Sequence, residues 1–194
     1  MGEMRSALRA TLDQFHAFRD ERPKEEKWEL IDGMMIMMPP PALVHQRIAG
    51  NIDRLLTARL DAVQPQWRVD REIGVLLPND QRYNPEPDVT VTDTDIRLGQ
   101  IYAERFYFVA EVLSPGEKQY VIDLKRDYYK AHPDCRGVMF VRQDRIEAEL
   151  SVRAGSDWRT LILTLPEDTI GIADIGEIGA LGHLYRHTPL QPST

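Results

Sequence analysis

Asp88 and Glu111 are the residues of this chain whose types and placement could do chemistry. Pro87-Asp88 opens a short β-branched stretch, Val89-Thr90-Val91-Thr92. Glu111 follows 23 positions later, inside Phe106-Tyr107-Phe108-Val109-Ala110-Glu111-Val112-Leu113. That run is apolar on both faces, so it predicts a strand buried in the middle of a sheet. An unpaired carboxylate there costs several kcal/mol and requires a cation or a proton. Two carboxylates at the ends of adjacent strands can share a divalent metal ion. Alone, Asp88 also reads as a polar residue at a strand start. Glu111, in turn, also reads as the partner of an interior arginine.

The elements that must position this pair follow from pattern. Thr11-Leu12-Asp13-Gln14 has capping-box spacing ahead of a helix to about Phe18. Asp20 to Lys27 is charged, holds Pro23 and predicts a loop. Trp28 to Ile31 and Met34 to Met38, joined by Asp32-Gly33, predict a hairpin with a type I′ turn. After Pro39-Pro40-Pro41, apolar residues from Val44 to Val63 recur at helical spacing, which predicts a helix over about Ala42–Ala62. Strands are expected over Trp67–Leu77, Val89–Thr92 and Phe106–Leu113. Ser114-Pro115-Gly116 breaks the chain before a helix over about Glu117–Ala131. Further strands are expected at Val138–Val141, Ile146–Val152 and Trp158–Leu165, and a short helix near Ile175–Tyr185. The order of helices and strands predicts an α/β (α+β) domain.

Lys125 is the third candidate. On its helix Val121, Leu124 and Tyr128 form an inward stripe, and Lys125 borders it. It reads equally as a lysine snorkelling to water or as a site residue that orients a water or a phosphate. His45, near the start of the long helix and off its apolar stripe, and Glu72, on the strand expected beside Asp88, are accessory candidates. Both also have ordinary surface readings. His183 and His187 have zinc-gripping spacing, but no glutamate-bearing motif or cysteine pair accompanies them.

The 194 residues suggest one domain, and 42% hydrophobic with 28% charged residues is ordinary for a globular protein. One cysteine, Cys135, suits a reducing cytoplasm and excludes an internal disulfide framework. No signal-peptide pattern is expected, and no apolar run approaches the roughly 18 residues that span a bilayer. The net charge of −7 weighs against strong nonspecific DNA binding. It does not exclude a nuclease, because bound metal ions supply positive charge.

Together, Trp28-Glu29-Leu30-Ile31-Asp32-Gly33, His45-Gln46-Arg47-Ile48, Pro87-Asp88-Val89, Glu111-Val112-Leu113-Ser114-Pro115 and Lys125 with Tyr129 resemble the Uma-two family. That family is one of restriction endonucleases within the PD-(D/E)XK nuclease superfamily. The resemblance extends from Thr11 to about Val141. It implies a restriction-endonuclease-like αβββαβ core with a mixed central sheet flanked by helices. It also implies Asp88 and Glu111 as metal ligands, with Lys125 beside them and Tyr129 as an accessory. The implied cofactor is Mg²⁺, with Mn²⁺ as a substitute, and the implied substrate is DNA.

Leu113 shares a strand face with Glu111 and stands where the superfamily's usual lysine projects. The Uma-two pattern moves that lysine to the next helix, which Lys125 fits. The family's usual aspartate four residues before this lysine is Val121 here, with Asp123 two residues further on. The expected organisation is a single domain over 1–194. Residues 1–27 form an N-terminal helix and loop, 28–141 the nuclease core and 142–194 a C-terminal hairpin and tail. A cytoplasmic homodimer is expected, since two sites suit two strands. The alternatives are a non-catalytic binding module of the same fold, and a metal hydrolase of small phosphoesters.

Overall fold

The computed structural model describes residues 9–192; residues 1–8 of the expected N-terminal segment and 193–194 of the tail lie outside the described residues. Helix α1 spans Leu12–Asp20 and opens with the expected capping box: Gln14 N–H donates to the Thr11 hydroxyl, and Thr11 N–H to the Gln14 side chain. Strands β1 (Lys27–Ile31) and β2 (Met34–Met38) form the expected antiparallel hairpin. Its turn places Asp32 at φ 47° and Gly33 at φ 75°, the left-handed pair that a type I′ turn needs. Helix α2 follows over Leu43–Val63.

The expected strand Trp67–Leu77 is divided. β3 covers Trp67–Asp70 and β4 only Gly74–Val75. Between them Glu72 takes φ 53°, a left-handed backbone that no strand tolerates. Arg71, the polar interruption of that strand's apolar face, marks the break. β5 spans Val89–Asp93, β6 Tyr102–Ala103 and β7 Phe106–Leu113. Helix α3 spans Gln119–Ala131, and β8 (Gly137–Arg142), β9 (Ala148–Ala154) and β10 (Asp157–Leu163) follow.

The end of the chain departs from expectation. Of the short helix expected near Ile175–Tyr185 only a 3-10 helix over Leu181–Tyr185 forms, preceded by β11 (Thr169–Ile172) and β12 (Gly176–Ala180). Gly176 at φ 85° and Gly179 at φ 142° are incompatible with a helix and shape the β11–β12 hairpin.

The central sheet has six strands in the order β10-β9-β8-β7-β5-β3. Every neighbouring pair is antiparallel except β7 and β8, which are parallel and joined through α3. Elements α2, β3, β5, β7, α3 and β8 reproduce the expected αβββαβ order, and β9 and β10 extend the same sheet. On one face, Ile48, Ile52, Leu56 and Leu60 of α2 pack with Phe108, Ala110 and Val112 of β7 and with Ile170 to Tyr185 of the tail. On the other, Ile122, Tyr128 and Tyr129 of α3 pack with Val109 and Leu113. All eight residues of β7 are buried. The alternation that seats Val109 and Leu113 against α3 turns Glu111 the same way.

The β1–β2 hairpin lies outside this sheet, yet it has a fixed seat. Gly33 N–H donates to the Arg82 carbonyl, and Leu30 bridges to Asn84. A Cβ added at Gly33 would lie 2.5 Å from the Arg9 Cβ, on a backbone at φ 75°. Gly33→Ala is therefore expected to cost about 1–3 kcal/mol, read as a lower urea midpoint. An unchanged midpoint would contradict this account of the turn.

Candidate active site

Asp88 lies immediately before β5, where the β5–β7 ladder ends. There its carboxylate stands in for a strand partner: Oδ2 accepts the Val112 N–H at 2.7 Å. His45, in the first turn of α2, is 7% exposed and places Nε2 3.3 Å from the same Asp88 oxygen. Glu111 stands beside them, on the face of β7 covered by α3.

Lys125 is 1% exposed, and it does not snorkel. The buried stripe of α3 runs through Val121, Ile122, Lys125, Tyr128 and Tyr129, with Leu124 only half-buried. Lys125 therefore sits within the stripe and not at its border. Its Nζ lies 3.1 Å from Glu111 Oε1, 2.8 Å from Glu29 Oε2 and 3.1 Å from Glu29 Oε1. Tyr129 Oη donates to Glu111 Oε1 at 2.5 Å. Two glutamates thus share one ammonium, and a tyrosine secures one of them.

Burial pushes the Glu111 carboxyl from its ordinary 4.5 up to about 8; Lys125 pulls it down, while Glu29 and Asp88 push it further up. Burial works against the charge of Lys125, but Glu111, Glu29 and Glu117 outweigh it and raise its pKa above the usual lysine range. The lysine therefore stays charged at every physiological pH. Burial, followed by the charge of Glu111, also raises the Tyr129 phenol, so it remains a proton donor.

Glu29, His45, Asp88 and Glu111 border a cavity of about 510 Å³, whereas Lys125 and Tyr129 are not on its wall. Its lining includes six carboxylates (Glu29, Glu72, Glu86, Asp88, Glu111 and Glu117) and only two lysines, Lys27 and Lys118. Met35, Met37, Pro39 and Pro41 of the hairpin and its exit supply an apolar wall. Among the described residues no hydrogen bond engages Glu111 Oε2 or Asp88 Oδ1, and neither atom is sealed from solvent. Each carboxylate thus spends one oxygen on the protein and keeps the other.

Among the described residues no three His, Cys, Asp or Glu side chains converge as a ready-made metal cage. Two carboxylates on one cavity, each with an oxygen free of protein hydrogen bonds, have donor chemistry that fits Mg²⁺, which keeps several waters and is held through one or two carboxylates together with substrate phosphate. They do not fit a structural zinc site, which needs four close ligands.

The structure brings together Asp88, Glu111, Lys125, His45 and Tyr129 from four different elements. Glu72 is on the cavity wall but not on a strand beside Asp88, as the sequence pattern suggested. It sits in the break between β3 and β4 and pairs with Lys27, while Gln46 donates to it. Asp123 does not replace the aspartate missing at Val121, since it is half exposed and binds Arg126 and Gln119. Glu29 is the residue that sequence reasoning missed. It is 3% exposed and accepts the Glu86 N–H at 2.8 Å as well as Lys125. Its signal was present, because Glu29 shares a strand face with the apolar Ile31, which is fully buried.

The sequence matches the Uma2 family model, described as “Putative restriction endonuclease”, over residues 12–176. Among solved structures, it is similar to a “putative nuclease belonging to DUF820” from Anabaena variabilis, at 18% identity and a TM-score of 0.70. The match covers 90% of this chain and 97% of that one, and at this identity it shows a shared fold. No curated protein matches the sequence.

Replacing Lys125 by Met leaves Glu29 and Glu111 buried without their cation, with an expected loss of about 3–5 kcal/mol in urea unfolding at neutral pH. Without the lysine the folded carboxylates hold protons more tightly than the unfolded chain, whose glutamates titrate at 4.5. Lys125 lowers the Glu111 carboxyl, so without it that group takes up its proton at a higher pH than in wild type, and the deficit narrows as pH falls through that interval. A loss below about 1 kcal/mol, or a deficit that widens on acidification, would contradict the shared-ammonium account.

Proposed function

The chain belongs to the Uma2 family, whose model carries the description “Putative restriction endonuclease”, and from that premise we propose that it is a metal-dependent endonuclease hydrolysing DNA phosphodiester bonds. One observation carries the reading. Asp88 and Glu111, held by β5 and β7 at adjacent strand ends, each keep one oxygen free on the same cavity. Asp88 and Glu111 would hold Mg²⁺, or Mn²⁺ in its place. The bound ion would supply an activated water and offset charge on the scissile phosphate.

The chain's own groups set up that chemistry. Val112 N–H fixes Asp88, and His45 packs against the same oxygen. Tyr129 and Lys125 fix Glu111 through Oε1 alone. The ammonium of Lys125 lies behind Glu29 and Glu111, so in this arrangement Lys125 is a positioning residue that acts through Glu111. Six carboxylates on the wall repel a polyanion, and nucleic acid is admitted once the metal has offset them. We place the activity in the cytoplasm, in keeping with the single cysteine, and in a homodimer whose two sites address two strands. Among the described residues no helix is long and apolar enough to cross a membrane.

A second reading, a non-catalytic nucleic-acid or protein binding module of the same fold, is favoured by Val121. That residue lies on the cavity wall where the family pattern has an aspartate.

Purified protein is expected to nick or linearise supercoiled plasmid in Mg²⁺ or Mn²⁺. Asp88→Asn is expected to lower the rate at least about a hundredfold with its circular dichroism unchanged. Cleavage retained in Asp88→Asn would overturn the site, and no cleavage by wild type in either metal would favour the second reading. Because metal and proton compete for Glu111, Mn²⁺ affinity should rise about tenfold per pH unit towards about 8 and then level off. Calorimetric titration at several pH values checks this, and a flat profile between pH 6 and 8 would contradict it.

A further inference from the structure

Glu29 has no place in the carboxylate pair, yet it is the best-held acidic group of the site. Its Oε1 accepts from Glu86 N–H at 2.8 Å and Lys125 Nζ at 3.1 Å, and its Oε2 lies 2.8 Å from the same ammonium. Both oxygens are engaged, so Glu29 is not a group waiting for a ligand. Glu111 differs, because its protein contacts all fall on Oε1. Lys125 reaches one oxygen of Glu111 and both oxygens of Glu29.

From this asymmetry we infer that Glu29 is a positioning residue for metal binding: by holding Lys125, it keeps the ammonium from neutralising Glu111 and leaves Glu111 Oε2 to the metal. The inference rests on the metal-dependent reading above and adds a residue from outside the αβββαβ core. The charges explain why two acids are needed. One lysine against one glutamate is a neutral pair with little attraction for a divalent ion. With Glu111 ionised, as metal binding requires, one lysine against two glutamates retains a net negative charge, and Asp88 adds another. The hairpin that carries Glu29 is thereby tied to the site, and its Asp32-Gly33 turn sets where that strand lies.

The test is Mn²⁺ affinity, measured directly by electron paramagnetic resonance on wild type, Glu29→Gln, Lys125→Met and the double variant. Glutamine keeps the shape of Glu29 and an oxygen for the Glu86 N–H. Thermal melting establishes that each variant is folded. Glu29→Gln is expected to weaken Mn²⁺ binding about tenfold or more, because Lys125 then pairs with Glu111 alone. In the Lys125→Met background the same substitution is expected to have little effect, since Glu29 acts through the lysine. Glu29→Asp, which restores the charge, is expected to recover part of the affinity.

Unchanged affinity in folded Glu29→Gln would overturn the inference. An equal loss with and without Lys125 would overturn it too, by making Glu29 a ligand itself. If wild type binds no Mn²⁺, the metal reading fails and this inference falls with it. If wild type binds, Asp88→Asn does not and Glu29→Gln binds like wild type, this inference fails alone.

Discussion

A carboxylate near the end of a fully buried strand is the constraint on which the rest of this structure depends. Every residue of β7 is withdrawn from water, Glu111 included. A charge so placed costs several kcal/mol unless cations and hydrogen bonds surround it. Helix α3 offsets that cost by bringing Lys125 and Tyr129, on successive turns, onto Glu111 Oε1. The β1–β2 hairpin brings Glu29 to share the lysine, and Asp88 caps the neighbouring strand end through Val112; both add negative charge beside Glu111. An ion pair that only filled the core would be better replaced by apolar side chains of similar volume. That such a pair persists beside a cavity, with one oxygen of Glu111 left open, indicates a site with a purpose beyond packing.

The acidity of the whole chain takes on meaning in the same terms. With a net charge of −7 and six carboxylates around the cavity, the protein has little of its own to hold a phosphate backbone. Such a surface is a poor nonspecific DNA binder, because that mode depends on lysine and arginine displacing counterions. It is well suited to concentrating divalent cations, after which the site's effective charge is set by the metal. On the proposed reading, nucleic-acid engagement and metal loading would be a single coupled event.

Much of this was legible in the sequence because the signals are local. The Thr11 capping box, the Asp32-Gly33 turn and the apolar run of β7 each act within a few residues, and each formed as expected. Asp88 and Glu111 stood out because an acid bounded by β-branched and aromatic residues has few cheap explanations. What was not legible depends on long-range partners or on single backbone angles. Lys125 looked like a border residue because the stripe was drawn through Leu124. The true stripe runs one position on, through Ile122, Lys125 and Tyr129, since a buried lysine becomes affordable only with Glu29 and Glu111 in place. Glu29 is 96 residues from the lysine it binds. The division of β3 from β4 turns on Glu72 adopting a left-handed conformation, and the final hairpin on two glycines. Hydrophobic periodicity does not report either.

The central claim is that Asp88 and Glu111 present their spare oxygens to one divalent ion. Anomalous scattering from manganese in crystals of the metal-loaded protein tests it most directly. The account predicts a single strong peak in contact with both Asp88 and Glu111, with Lys125 still held by Glu29. A peak bound elsewhere, or no peak at saturating manganese with Lys125 bridging the two glutamates unchanged, would contradict it.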